Sequence, residues 1–304
     1  MSGIFAGLLG VSGAPQPGTF AVFALGSTAA CTNTTTRDKY TYSGCTVTTG
    51  GAATTANCSG AAAGTCAVGI FALGTSTTTT NKYTYSSCAV SAGTATTAVF
   101  YRGAAAGNST RGIFTLGSNT TTRNKYTYSG CVVAAGTASA LSTLAGAAVG
   151  NCAVGIFAIG LQNVCPPCGC PTVASRRKYT YSSCTDAAAS YSSRTSSQSA
   201  TGNSTAGIFA LGAQQEGIST TARTKYTYSG DVCVAATAAT TASQAGSAAG
   251  NCAVGIFALG FTTVRVTTRN KYTYSGCTVT AGGAASTASR YGSAASNGTT
   301  GVNM

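Results

Sequence analysis

Apolar residues recur along this chain in two short patterns. The first is a compact run between glycines, Gly69-Ile70-Phe71-Ala72-Leu73-Gly74, with relatives ending at Gly26, Gly117, Gly160, Gly212 and Gly260. The second is an alternating phrase, Lys-Tyr-Thr-Tyr-Ser, that begins at Lys39, Lys82, Lys125, Lys178, Lys225 and Lys271. The glycine-bounded run predicts a strand buried on both faces, with Ile70 and Ala72 pointing one way and Phe71 and Leu73 the other. The alternating phrase predicts a strand with Tyr83 and Tyr85 on one face and Lys82, Thr84 and Ser86 on the other. Its Tyr and Thr residues are good strand formers.

Around these two strands a longer unit repeats. A short turn leads to a further strand, as in Cys45-Thr46-Val47-Thr48 and Cys277-Thr278-Val279-Thr280. A longer connection of Gly, Ala and Thr ends in a small strand such as Gly103-Ala104-Ala105-Ala106, and a turn such as Gly107-Asn108-Ser109-Thr110 returns the chain to the apolar run. Four short strands every ~43 to 53 residues match one propeller blade and exceed one coil of most β-solenoids. The expected fold is therefore all-β, a six-bladed β-propeller of four-stranded blades in one domain, residues 19–304, after a leader, residues 1–18. Six sets of the second, third and outer strands are present, but only five internal inner strands. Residues 292–297 repeat the inner-strand wording at the C-terminus, so they are expected to pair with the run from Phe20 to Leu25 and close the ring. The alternative donor is the leader, Gly3 to Gly10. Closure matters because an open array would expose strand edges.

The unit resembles the kelch repeat, and in particular the tandem kelch-like arrays encoded in bacterial and phage genomes. The resemblance covers residues 19 to 297. A kelch unit ends its second strand on two glycines, carries a Tyr on its third, and has a Trp seven residues after that Tyr. Here Leu73-Gly74 stands at the glycine pair, Tyr83 matches the Tyr, and Val90 occupies the Trp position. Val47, Val133 and Val279 agree with Val90, whereas Asp186 and Cys233 depart from it, and the chain has no Trp. The resemblance implies a propeller whose outer strands are lightly packed and whose function is binding on a loop face.

Composition narrows the chemistry. Charged residues make up 7% of the chain against roughly 25% in ordinary domains, so the surface must be mostly Thr, Ser, Gly and Ala. The net charge of +13 arises from a scarcity of acids, Asp38, Asp186, Glu216 and Asp231, rather than from a basic block. Nucleic acid is accordingly not the favoured partner. No apolar run approaches the ~20 residues of a membrane helix, and the apolar start carries no Lys or Arg ahead of it. The absence of His excludes a Ser-His-Asp triad, a Cys-His pair, a His-ligated copper and a mixed Cys/His zinc site. The four acids fall in blades 1, 4 and 5, at loop and outer-strand positions, which does not suit paired-carboxylate hydrolysis. The expected protein is not an enzyme and needs no cofactor.

Two sets of residues remain as candidate sites. Basic residues gather at the start of each Tyr strand: Arg37 and Lys39, Lys82, Arg123 and Lys125, Arg176, Arg177 and Lys178, Arg223 and Lys225, Arg269 and Lys271. Sixfold repetition would set them as a ring able to attract an anionic polymer or glycan. The plainer reading lays each Lys stem along its blade with the charge in water. Separately, Cys165, Cys168 and Cys170 lie in a blade 4 insertion and could hold a soft metal or form a disulfide. Cys45, Cys88, Cys131, Cys184, Cys233 and Cys277 open the outer strands, and Cys66, Cys152 and Cys252 sit at the turn after the inner strand. The two sets lie about 10 Å apart at ~4.8 Å per strand, too far for disulfides, so they read as small buried fillers, and a cytoplasmic or virion-associated setting is favoured over a secreted one. The function expected is a non-enzymatic binding or assembly module that presents one loop face to a protein partner. A polyanion or glycan binder is the alternative, and a metal or redox site at the cysteine loop the second.

Overall fold

The structure, a computed structural model, describes residues 18–28, 32–161, 175–191, 195–214 and 218–298. They form six antiparallel sheets of four strands each, arranged as a ring. Blade 2 shows the unit: an inner strand Ala61–Gly64, a second Val68–Ala72, a third Thr80–Thr84 and an outer Ala89–Gly93, hydrogen-bonded in that order. Blades 3 to 6 repeat it from inner strands Ala104–Gly107, Ala147–Gly150, Ser199–Gly202 and Ser247–Gly250. Blade 1 takes Phe20–Ala24, Arg37–Thr41 and Thr46–Thr49 from the N-terminal end and its inner strand, Ser293–Ser296, from the C-terminal end. The register of that closing pair, Ala21 opposite Ser296 to Ala24 opposite Ser293, copies Gly69 opposite Gly64 to Ala72 opposite Ala61 in blade 2. The C-terminal strand is thus the donor.

Residue size explains the radial order. Six inner strands crowd one axis, so they are written in Ala, Gly, Ser and Thr, with Val149 the exception. The second strands carry the bulk, and Ile70, Phe71, Ala72 and Leu73 are all buried, as the glycine-bounded run predicts. On the third strands Tyr83 and Tyr85 are buried while Lys82 and Thr84 are half-buried. The outer strands, without Trp, are largely exposed.

Glycine is required at two kinds of position. The hydroxyl of Tyr128 lies across the paired Gly107 and Gly112, where an added Cβ would come within 2.6 and 2.8 Å of it. At the end of the second strand Gly74 has φ of +72° and would place a Cβ 2.2 Å from the Cys58 carbonyl oxygen, which only glycine avoids. This is the glycine that the kelch comparison aligns with Leu73-Gly74.

The ring has two faces. Loops between second and third strands, and the connections from each outer strand to the next blade, form the upper face; the turns after the inner and third strands form the lower. At the upper mouth of the central channel one residue per blade, Ser59, Arg102, Ala145, Ser197, Ala245 and Tyr291, adopts φ between 52° and 61°. Each donates its backbone N–H to the carbonyl of the residue before it in the ring, at 2.7 to 3.0 Å, and the cycle closes on itself from Ser59 to Tyr291. Left-handed backbone costs each non-glycine residue about 1 to 2 kcal/mol, which this circle of hydrogen bonds offsets.

Candidate functional site

The basic residues do not form a surface ring. Arg37, Arg123, Arg176, Arg223 and Arg269 are at most 5% exposed and lie between blades. Each guanidinium covers a Phe of the next blade: Arg37 over Phe71 at 4.5 Å, Arg123 over Phe157 at 4.9 Å, Arg176 over Phe209 at 4.1 Å, Arg223 over Phe257 at 5.0 Å and Arg269 over Phe23 at 4.5 Å. Cations stacked on desolvated aromatic faces gain up to about 2 kcal/mol each. The same guanidiniums also donate to the next blade, to Asn81 at 3.1 Å, Asp186 at 2.8 Å, Thr224 at 2.7 Å, Asn270 at 3.1 Å and Asp38 at 2.8 Å respectively. Burial lowers Arg37 and Arg223 to about 10, so both remain charged at neutral pH. Asp38 is itself fully buried on the third strand of blade 1, not on a loop, and Asp186 pairs with both Arg123 and Arg177. These arginines hold blades together.

The lysines are half-buried in the seams, leaning toward the lower turn of the next blade. Lys39 donates to the Cys88 sulfur at 3.8 Å, Lys82 to Cys131 at 3.8 Å and Lys271 to Cys45 at 3.9 Å, while Lys178 pairs with Asp231 at 3.3 Å. Lys125 and Lys225 are half-buried like the rest. Asp231 stands where the other blades have cysteine, with the same positive φ, and Cys233 lies two residues further on, opposite Tyr226. Cys233 therefore does not open its outer strand; its sulfur instead accepts from Arg176 at 2.7 Å. The ten described cysteines are free thiols, and Cys66, Cys152 and Cys252 are exposed rather than buried fillers. Cys165, Cys168 and Cys170 lie outside the described residues, and among the described residues no three His, Cys, Asp or Glu side chains approach one another closely enough for a metal.

What distinguishes the upper face is departure from the repeat. The three tyrosines that the Lys-Tyr-Thr-Tyr-Ser phrase does not supply, Tyr101, Tyr191 and Tyr291, all lie on its blade-to-blade connections. Four of the large apolar side chains that are exposed lie on this face, on the connections or on the loops between second and third strands: Val99 at 47%, Tyr191 at 55%, Ile218 at 67% and Val264 at 63%. Arg102, Arg265 and Arg290 join them. Two adjoining cavities of about 50 and 70 Å3 open at the channel mouth, lined by the hydrogen-bonded circle from Ser59 to Tyr291 and by the ends of the inner strands. A ligand of drug size needs roughly 300 Å3 or more, so the mouth suits a small group rather than a whole organic molecule. Tyr101, Arg102 and Tyr291 were not candidates in the sequence; the available signal was that they fall outside the repeated phrases.

Six four-stranded sheets in a ring, closed by a strand from the opposite terminus, define a six-bladed β-propeller of kelch-like strand order. The chain is similar in fold to a solved structure titled "Structure of YjhT", with a TM-score of 0.63, 10% identity, and coverage of 82% of this chain and 93% of that one. At that identity the likeness concerns fold alone. No protein-family model and no curated protein matches the sequence.

Proposed function

We propose that the protein is a non-enzymatic binding or assembly module that receives a protein partner on its upper loop face. The observation that carries this reading is the asymmetry between the faces. Val99, Tyr191, Ile218 and Val264 are exposed on upper loops, whereas the lower turns keep the small polar wording of the repeat. Three further exposed valines, Val132, Val232 and Val234, lie on outer strands, but it is the upper loops that combine exposed apolar groups with tyrosine and arginine, the residue types enriched at interface anchors. The polyanion alternative, as a ring at the start of the third strands, loses support because five of its arginines are buried between blades.

The test is site-specific photocrosslinking in the native host. A crosslinking residue at Tyr191 or Val264 is expected to capture a discrete partner, and one at Ser109 or Ser275 on the lower turns is not. Capture from the lower positions alone would overturn the assignment. The double variant Ile218→Asp/Val264→Asp is expected to abolish the upper-face crosslink while melting as the wild type does.

A further inference from the structure

On the upper face five side chains alternate between aromatic ring and guanidinium. Arg102 lies over Tyr101 at 5.2 Å and over Tyr291 at 4.6 Å; Arg290 lies over the same Tyr291 at 5.0 Å and over Phe261 at 5.3 Å. The series joins the connection leading into blade 3 to the connection leading into blade 1 and to a loop of blade 6. Tyr291 therefore gathers two cations at the channel mouth, on a residue whose backbone is fixed by the hydrogen-bonded circle. Stacking satisfies the flat faces of the guanidiniums but not their edges, where the N–H donors point. The Nε atoms of Arg102 and Arg290 are buried and have no acceptor among the described residues.

No described carboxylate supplies one. Asp38 is engaged by Arg269, Asp186 by Arg123 and Arg177, and Asp231 by Lys178, all within blade contacts. Arg102 and Tyr291 line the cavity of about 70 Å3, Arg290 stacks on the same Tyr291 ring, and the Nε of each arginine is a donor without an acceptor among the described residues. We infer that the channel mouth is an oxyanion-binding site, with Arg102 and Arg290 as the binding residues and Tyr291 as the ring that positions both. The ligand is a single oxyanionic group, a phosphate, sulfate or carboxylate, matched by the fork of each guanidinium. The site shares the upper face with the proposed partner but does not depend on it, because the free protein would bind the oxyanion.

Calorimetric titration of the whole protein with sodium phosphate, sodium sulfate and sodium succinate, each at ionic strength held constant with chloride, tests this. Saturable binding at one site is expected for at least one of the three, and which one binds identifies the oxyanion. Arg102→Gln and Arg290→Gln are each expected to weaken that affinity about tenfold or more, since each removes a charge-assisted donor. Arg111→Gln makes the same charge change at a lower turn and is expected to leave the affinity unaltered. Tyr291→Phe, which keeps the ring, is expected to bind as the wild type does. Absence of saturation by all three anions up to on the order of 10 mM would overturn the inference. Equal weakening by Arg102→Gln, Arg290→Gln and Arg111→Gln would also overturn it, because the effect would then be one of net charge. In either case the apolar residues could still receive a protein, so the crosslinking result stands apart.

Discussion

Replacing Arg269 by Met tests whether the buried arginines hold the ring together through charge or through bulk. Arg269 bridges blade 6 to blade 1: it covers Phe23 and donates to Asp38, which also accepts from the Ser286 N–H at 3.0 Å and the Ser286 hydroxyl at 2.5 Å. Asp38 is fully buried, so the Met variant leaves a carboxylate without its cation, a change that costs about 3 to 5 kcal/mol. Arg37 makes the same stack over Phe71, but its acceptor is the neutral Asn81, whose oxygen keeps the Thr54 N–H at 3.1 Å. Arg37→Met therefore forfeits only stacking and one hydrogen bond, about 1 to 2 kcal/mol. At roughly 2 °C per kcal/mol for a domain of this size, Arg269→Met is expected to lower Tm by about 6 to 10 °C and Arg37→Met by about 2 to 4 °C. The added change Asp38→Asn removes the orphaned charge and is expected to recover part of the first loss. Melting followed by far-ultraviolet circular dichroism at neutral pH reads all three. Equal shifts for the two single variants, or no recovery in the double variant, would refute the argument that the charge of Asp38 is what Arg269 serves.

Deleting residues 289–304 removes the strand paired with Phe20–Ala24, the Asn297 contacts to Phe20 and one link of the circle at Tyr291. The truncated chain is expected to aggregate or melt far below the wild type by light scattering and calorimetry, and an unchanged monomer would place closure elsewhere. Burial alone would raise the Asp186 carboxyl, but hydrogen bonds from Arg177 and Arg123 and from the Ala140 N–H hold it below the usual carboxylate range. Because its folded pKa is depressed, its contribution to stability is complete above about pH 4 and fades as pH falls through the folded value. The Tm gap between wild type and Asp186→Asn is therefore expected to be widest near neutral pH and to narrow in acid; a gap independent of pH would sink the ion-pair account. Phe100→Ala is expected to cost about 3 to 5 kcal/mol in urea unfolding, because Phe100 is fully buried in the same cluster as Phe114. A loss below about 1 kcal/mol would show that the site collapses around the missing ring.

The strands, their four-per-blade grouping and the C-terminal closure were legible because each follows from a repeated phrase. The fate of the basic residues was not. A strand alternation of period 2 says which side chains share a face, but in a propeller both faces of the third strand meet neighbouring blades. Arg37 therefore lands against Phe71 of a blade whose wording lies over thirty residues away. The compensations are legible only afterwards. Blade 2 has Thr80 in place of that arginine, and Phe100, at a position held by Thr143 or Ser243 in other blades, adds apolar bulk to the adjoining cluster. Blade 4 has Arg177 where other blades offer an acceptor, and Asp186, at the position held by Val in blades 1, 2, 3 and 6, supplies one for two arginines. Departures from a repeat are thus paired in space, and the two members of a pair can belong to different strands or different blades.

The two faces differ because they are held by different atoms. On the lower face side chains tie one turn to the next: the Asn108 amide donates to the Cys152 carbonyl at 3.2 Å, Asn151 to Ser204 at 3.3 Å, Asn203 to Cys252 at 3.4 Å and Asn251 to Gly18 at 3.0 Å. A substitution of any of these asparagines loosens two blades at once, so the wording there is constrained by stability. On the upper face the circle from Ser59 to Tyr291 is made by backbone N–H and carbonyl groups alone. Its six positions accept serine, arginine, alanine and tyrosine without altering one hydrogen bond. The physical freedom to vary a side chain without loosening the ring is therefore greatest at the channel mouth, and two of the six positions there carry Arg102 and Tyr291, outside the repeated phrases. A fold closed by its main chain at that point can change what it binds without changing how it stands.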